Sequence, residues 1–323
     1  MLAAGSLITV FGGSGFVGRH TVRLLAQRGY RVRAAVRRPD LAGHLQPMGG
    51  VGQIMPVQAN LRDADQVRRA VAGAAGVVDL VAVLAESGRQ TFDALHIEGA
   101  RRVAEAARAA GAQSLVHLSA IGASERSPAR YGQSKARGEI LVLKAFPGAV
   151  ILRPSIIFGP EDQFFNRFAA MAQTSPFLPS IAGRTRFQPV YVGDVAAAIV
   201  ASLEGAAKPG TVYELGGPEV LSFRELLQRT MTYCGHQRPL LPVPSWAAKL
   251  GAALTKPLPM ASRPITVDQV RMLAIDNVVS ATAMAEGRTL TGLGVGQPQT
   301  IDAVVPGYLE RFNTRGQYTH YRS

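Results

Sequence analysis

The sequence predicts an α/β fold: a doubly wound parallel sheet with helices on both faces, followed by a smaller, mostly helical C-terminal lobe. Three observations carry this reading. Over the first two-thirds of the 323 residues, short β-branched apolar runs alternate with Ala- and Arg-rich stretches of helical character. A cluster of glycines stands where the first apolar run gives way to the first helical stretch. From about Gly217 the alternation stops and proline becomes frequent, at Pro218, Pro239, Pro242, Pro244, Pro257, Pro259 and Pro264. The expected division is residues 1–216 for the sheet domain and 217–323 for the lobe and tail.

The elements follow in order. Leu7–Phe11 is five apolar or β-branched residues without interruption, the pattern of a strand covered on both faces. Phe16–Arg28 follows as a helix stopped by Gly29, and Arg31–Val36 and Ile54–Gln58 are the next two strands. Helix Ala64–Ala72 ends at Gly73, strand Gly76–Val83 follows, and helix Leu95–Ala110 ends at Gly111. Strand Ser114–Ser119, helix Tyr131–Ala145, strand Ala149–Arg153, helix Val192–Leu203 and strand Val212–Leu215 complete a seven-stranded set. The chain has no internal repeat and no low-complexity segment.

Composition narrows the class. A hydrophobic share of 47% and a charged share of 18% exclude wholesale disorder. Lys and Arg total 35 against 22 Asp and Glu, a net charge of +13 that favours acidic partners. There is no zinc-finger, helix-turn-helix or RNA-binding aromatic signature, so nucleic acid is not an expected partner. Cys234 is a lone thiol, read as a core residue, and the six histidines, His20, His44, His96, His117, His236 and His320, have no metal-ligand spacing, so no metal is expected. No apolar run approaches the roughly 20 residues of a membrane span. Residues Met1–Ser6 run straight into the first strand, fitting neither a signal peptide nor an Arg-rich transit segment.

The first strand leads into Gly12-Gly13-Ser14-Gly15-Phe16-Val17-Gly18, with glycine at 12, 15 and 18. At a strand-to-helix junction these give a tight turn, close approach of backbone to a pyrophosphate, and close helix–sheet packing, while the helix N-terminus attracts the anion. The spacing in this context predicts a Rossmann dinucleotide site. An NAD site carries an acidic residue about twenty positions further on, at the end of the second strand; here Arg37 and Arg38 stand there. A guanidinium fork suits a 2′-phosphate, which favours NADPH, while Asp40 leaves NAD as the less favoured cofactor.

Tyr131 and Lys135 lie four residues apart on one helical face. An ammonium beside a phenol is expected to lower its pKa towards the range of a proton donor to a carbonyl. Together with Asn60-Leu61-Arg62 after the third strand and Arg153-Pro154 after the sixth, these residues resemble the extended short-chain dehydrogenase/reductase superfamily. The resemblance implies that Leu61 lies by the adenine, that Val81 and Ala82 lie under the cofactor, and that Lys135 hydrogen-bonds the nicotinamide ribose. It adds Asn60, Ser119 and Pro154 to the cofactor-binding set. The position matching the superfamily's catalytic Ser or Thr is Ile121, with Ser119 and Ser124 flanking it. No catalytic residue is therefore assigned; Tyr131, Lys135 and Ser119 are the vestigial candidates.

Longer stretches are more specific: 153–162 (RPSIIFGPED), 164–171 (FFNRFAAM), 186–194 (RFQPVYVGD), 267–273 (VDQVRML) and 276–279 (DNVV). They are similar to the NAD(P)H-binding accessory subunits of respiratory complex I, the NADH:ubiquinone oxidoreductase, over residues 7 to about 279. That resemblance implies a structural NADPH and a role in assembly or stability near the quinone-site junction, with the other complex I subunits as partners. It places the protein peripherally on the cytoplasmic face of a bacterial inner membrane, or on the matrix face of the inner membrane for a mitochondrial member. The alternative is a free NADPH-dependent reductase or epimerase using Tyr131 and Lys135. In the lobe, Trp246, Leu250, Ala253 and Leu254 fall on one helical face flanked by Lys249 and Lys256, as in an interfacial helix that meets anionic lipid headgroups. The tail from Tyr308 to Ser323 mixes Arg311, Arg315 and Arg322 with Tyr308, Phe312, Tyr318 and Tyr321, suiting an acidic surface or lipid headgroups.

Overall fold

In the computed structural model, which describes residues 2–255 and 265–313, seven parallel strands form one sheet. They are β1 (Leu7–Phe11), β2 (Arg31–Val36), β3 (Ile54–Gln58), β4 (Gly76–Asp79), β5 (Ser114–Leu118), β6 (Val150–Pro154) and β7 (Val212–Leu215). Their order is β7-β6-β5-β4-β1-β2-β3. β1 pairs with both β2 and β4, Phe11 standing in register with Ala35 on one side and Asp79 on the other. The winding reverses between β1 and β4, so the loops leaving those two strands open at the topological switch point where ligands of such sheets bind. There the Leu80 N–H donates to the Phe11 carbonyl at 3.1 Å.

Ile8, Thr9, Val10 and Phe11 are fully buried, as expected of a strand covered on both faces. Phe11, Val77, Leu115 and Ile151 form a core with Val67 and Val71 of α2 (Ala64–Val71), Val103 and Ala107 of α3 (Glu98–Ala109) and Val142 of α4 (Arg130–Ala145). α1 (Phe16–Gln27) and α5 (Val192–Leu203) pack against each other. Glu204 joins their ends through Arg28 at 3.3 Å and the Tyr30 hydroxyl at 3.3 Å.

Three boundaries depart from the sequence reading by more than one residue. β4 stops at Asp79 instead of Val83 because its next donors leave the ladder: the Val81 N–H goes to Asp79 Oδ1 and the Val83 N–H to His96 Nε2. The expected helix Leu95–Ala110 begins as a π turn over Asp93–Ile97 before α3 takes over at Glu98. The boundary expected at residue 216 is replaced by interleaving. Among the described residues, 2–154, 192–215 and 279–297 form one compact unit, and 155–191, 216–255, 265–278 and 298–313 form the other.

The second unit is not purely helical. Ile157–Phe158 pairs with Val190–Tyr191, Leu178–Ile181 with Leu240–Val243, and Arg186–Phe187 with Leu221–Ser222. Helices Phe165–Thr174, Phe223–Tyr233 and Ile301–Leu309 enclose a core of Phe158, Phe165, Phe223, Leu226, Ile301, Val305 and Leu309. Tyr308 and Phe312, expected on an interaction surface, pack against this core instead, and the Tyr308 hydroxyl donates to the buried Asp162 carboxylate. The rest of the expected tail, 314–323, and Lys256 lie outside the described residues.

Candidate functional site

The glycine turn is built for a tight junction. Gly12 adopts φ +78°, the left-handed region that glycine enters without a side-chain clash. Its N–H donates to Ala35 O at 3.0 Å, and its carbonyl accepts the Gly15 N–H at 2.9 Å. A methyl on Gly18 would lie 2.1 Å from Gly12 O, and one on Gly13 would lie 3.2 Å from Val10 O and 3.0 Å from the Ala34 Cβ, so both positions are closely packed. The Gly15 position differs, since a methyl there meets only Gly12 O at 3.2 Å. Gly15 begins α1 with no side-chain cap and no acidic residue in the first turn. Ser14, Phe16 and Val17 are half-buried around this helix start. Uncapped N–H groups and the positive end of the helix dipole make it an anion seat.

At the second expected anchor the two arginines separate. Arg38 forks onto Asp40 through Nε–Oδ1 at 3.0 Å and Nη2–Oδ2 at 2.7 Å, while Arg37 is exposed and has no ion pair among the described residues. Asp40, the residue that kept NAD in play, is thus held by Arg38. Leu61 is buried in the main core beside Phe11 and Ala59, and the Asn60 N–H donates to the Gln66 side chain. Val81 is half-buried and Ala82 exposed on the loop after β4.

Tyr131 and Lys135 are both buried on α4. Lys135 Nζ donates to the Leu118 carbonyl at 2.6 Å, and burial holds its ammonium down to about 8, with the Asp79 and Glu139 carboxylates acting in the opposite direction. Burial pushes the Tyr131 phenol up to about 12. This reverses the expected depression: burial accounts for the shift, because the anionic form of a desolvated phenol is the costly one. Ser119, one residue past β5, is buried, and its hydroxyl has no hydrogen-bond partner among the described residues. Ile121, at the position matched to the superfamily's hydroxyl, is buried against Val279 and Ala283, with its N–H donating to the carbonyl of the buried Pro154.

Four groups around these residues escape a reading by motif. Asp79 and His117, cross-strand neighbours in register, are both buried, with Oδ2 and Nδ1 3.0 Å apart, and His117 Nε2 has no partner among the described residues. His96 is buried between the loop after β4 and α4. Glu139 takes the Arg153 fork at 3.0 and 2.6 Å. A signal for two of them was present: a carboxylate and an imidazole inside apolar runs that read as central strands are too costly to bury without a purpose or a partner.

The residues fit a dinucleotide. The helix start has no side-chain cap, Gly15 is exposed and carries no side chain over it, Arg37 has no ion pair among the described residues, and the Ser119 hydroxyl is a buried polar atom lacking a partner among them. No group of metal-ligating side chains occurs among the described residues. In the second unit, helix Ser245–Leu254 buries Ala248 and Ala252 and exposes Trp246 (71%), Leu250 (56%) and Leu254 (73%) together with Lys249. Among the described residues no helix is long and apolar enough to cross a membrane.

Residues 8–216 match the family model of the NAD dependent epimerase/dehydratase family. The chain is 36% identical over 292 residues, 87% of its length and 73% of the other, to NADH dehydrogenase [ubiquinone] 1 alpha subcomplex subunit 9, mitochondrial, of Arabidopsis thaliana. It is 35% identical over 198 residues, 61% of each chain, to a ceramide reductase of Caulobacter vibrioides. Among solved structures, an NADPH-dependent quinone oxidoreductase of Escherichia coli in complex with NADPH superposes with a TM-score of 0.71 at 21% identity, covering 94% of this chain and 99% of that one. At that identity the likeness is one of fold.

Proposed function

The chain belongs to the NAD-dependent epimerase/dehydratase family and to the family of subunit 9 of the NADH dehydrogenase alpha subcomplex, and from that premise we propose that it is an accessory subunit of respiratory complex I that retains NADPH as a structural ligand. One observation carries the non-catalytic part. Ile121 presents a buried apolar side chain, packed on Val279 and Ala283, at the position matched to the hydroxyl that polarises a substrate, while the dinucleotide cradle is intact. A missing oxyanion-type donor costs about 3 kcal/mol of transition-state stabilisation; the loss of a cradle glycine would cost binding itself.

In this reading the turn Gly12–Gly18 holds the pyrophosphate, Arg37 the 2′-phosphate, and Ser119 and Lys135 the nicotinamide ribose, with Leu61, Val81, Ala82 and Pro154 shaping the walls. Arg37 favours NADPH over NAD because its guanidinium is not taken by a carboxylate, whereas Arg38 is. When bound, NADPH brings hydride-donor chemistry; the protein's own residues bind and orient it and exclude water. The protein works peripherally at the membrane, near the quinone-site junction, and the Trp246 face with Lys249 rests on anionic headgroups.

The test is purification from membranes. The chain should co-migrate with the large flavin and iron–sulfur complex, and the nucleotide released on denaturation should carry a 2′-phosphate by mass spectrometry. A chain recovered only as a free protein, turning NADPH over rapidly with a carbonyl substrate, would overturn the proposal.

A second reading has its own support. Tyr131 and Lys135 are both in place and buried, and the similarity to a ceramide reductase points to a free NADPH-dependent reductase in which Tyr131 protonates the developing alkoxide. Tyr131→Phe separates the two: turnover lost with cofactor binding retained supports the reductase, and an unchanged respiratory complex supports the accessory subunit.

A further inference from the structure

His96 is held by two hydrogen bonds of fixed direction. Its Nε2 accepts the Val83 N–H at 3.0 Å, so Nε2 carries a lone pair and the ring proton sits on Nδ1. Nδ1–H then donates to Ser134 Oγ at 2.9 Å, and the Ser134 hydroxyl donates onward to the Tyr131 carbonyl at 2.8 Å. The chain of bonds runs from the loop after β4, which has left the sheet, to the helix that carries Tyr131 and Lys135. The tautomer needs no cation, and burial, with Lys135 and His117 adding to it, holds the imidazole down to about 2.

Packing reinforces the link. The ring stacks on Phe92 at 5.2 Å and 26°, and Tyr131 stands edge-on to both His96, at 5.5 Å, and Phe92, at 6.0 Å. Two backbone features make room for it. His96 lies on the π turn Asp93–Ile97, a geometry that inserts a residue into a helix and recurs at functional sites. Gly138 of α4 comes so near that a methyl there would lie 2.1 Å from the His96 carbonyl oxygen.

We propose that His96 is a positioning residue of the nucleotide site: its neutral imidazole ties Val83, and with it the loop bearing Val81 and Ala82, to the Tyr131–Lys135 helix, and so sets the walls that hold the nicotinamide half of the dinucleotide. This rests on the reading of the site given above, and it adds a residue that touches neither the cofactor nor the reacting atoms. A merely space-filling histidine would be replaced equally well by any residue of its size.

The experiment compares His96→Gln, whose amide oxygen can still accept from Val83, with His96→Phe, which keeps the stacked ring but no acceptor. Full-length proteins are titrated with NADPH, followed by the emission of the bound nicotinamide, and segment 80–84 is followed by amide hydrogen exchange. H96F should weaken binding about tenfold, shift the nicotinamide emission towards that of the free cofactor and speed exchange of the segment about tenfold, while H96Q stays within about twofold of the wild type. If H96F matches the wild type in emission and exchange, or H96Q is as impaired as H96F, the proposal fails. Should the wild type bind no NADPH, the reading of the site fails, and the exchange comparison still decides the role of His96. If H96F does not fold, Ser134→Ala replaces it: faster exchange at 80–84 supports the tie, and unchanged exchange overturns it.

Discussion

Replacing Lys135 by methionine removes a buried charge while keeping most of the side chain's length. The ammonium is 1% exposed and bonded only to a neutral carbonyl at 2.6 Å among its described hydrogen bonds, with its pKa at about 8 instead of 10.5. That gap, at about 1.4 kcal/mol for each factor of ten in proton affinity, is about 3 kcal/mol. The unfolded chain binds the proton more tightly than the folded one. Between pH 8 and 10.5 the unfolded state therefore carries more protons, and stability climbs by up to about 3 kcal/mol as pH rises through that window. Tyr131, held up at about 12, acts only above pH 10, where its unfolded form begins to ionise. K135M should abolish the climb. At pH 7 it should be more stable than the wild type by about 2 kcal/mol, the 3 less roughly 1 for leaving the Leu118 carbonyl without its donor. Urea unfolding of nucleotide-free protein at pH 7, 8, 9 and 10 gives both numbers. Parallel curves for the two proteins across pH 8–10, or a K135M that is weaker at pH 7, would refute the reasoning.

The cradle glycines should separate stability from binding. Gly18→Ala forces a methyl onto backbone at 2.1 Å and should cost about 3 kcal/mol or more in a melt, whereas Gly15→Ala, with only Gly12 O at 3.2 Å, should fold normally and lose dinucleotide affinity. Arg37→Ala should weaken NADPH about tenfold and leave NADH unchanged by calorimetry, while Arg38→Ala, whose guanidinium is already on Asp40, should move neither by more than about twofold. Glu139→Gln leaves the Arg153 fork facing a neutral amide in a largely buried place and should cost about 3 kcal/mol in denaturant unfolding, with Arg153→Met in the same background recovering part of it.

Where one residue pattern dictates one environment, the sequence can be read to the residue. β1, β2, β3 and β7 begin and end where the sequence pattern puts them, because Gly, Pro or Asn stands close on both sides of each run and stops the strand. The glycine turn was legible because each glycine answers a different backbone demand. The site's interior was not. His96 takes its place from a π turn and from Gly138, and neither leaves a periodicity to find. The difference between Arg37 and Arg38 depends on which one Asp40 captures, a choice of rotamer that two adjacent arginines do not announce. Strand pairs of two residues, such as Arg186–Phe187 with Leu221–Ser222, are too short to form a pattern at all. The spacing of Tyr131 and Lys135 was legible, but the direction of the phenol's shift depended on burial that the spacing does not encode.

The interleaving of the two units bears on how the protein is made. The sheet unit takes its last strand from residues 212–215 and its cover over Ile121 from 279–297. A nascent chain that has left the ribosome as far as β6 holds six of the seven strands, yet Ile121 still lacks the residues that bury it. Completion of the sheet unit thus waits for nearly the whole polypeptide: a chain stopped before Val279 lacks the residues that cover Ile121.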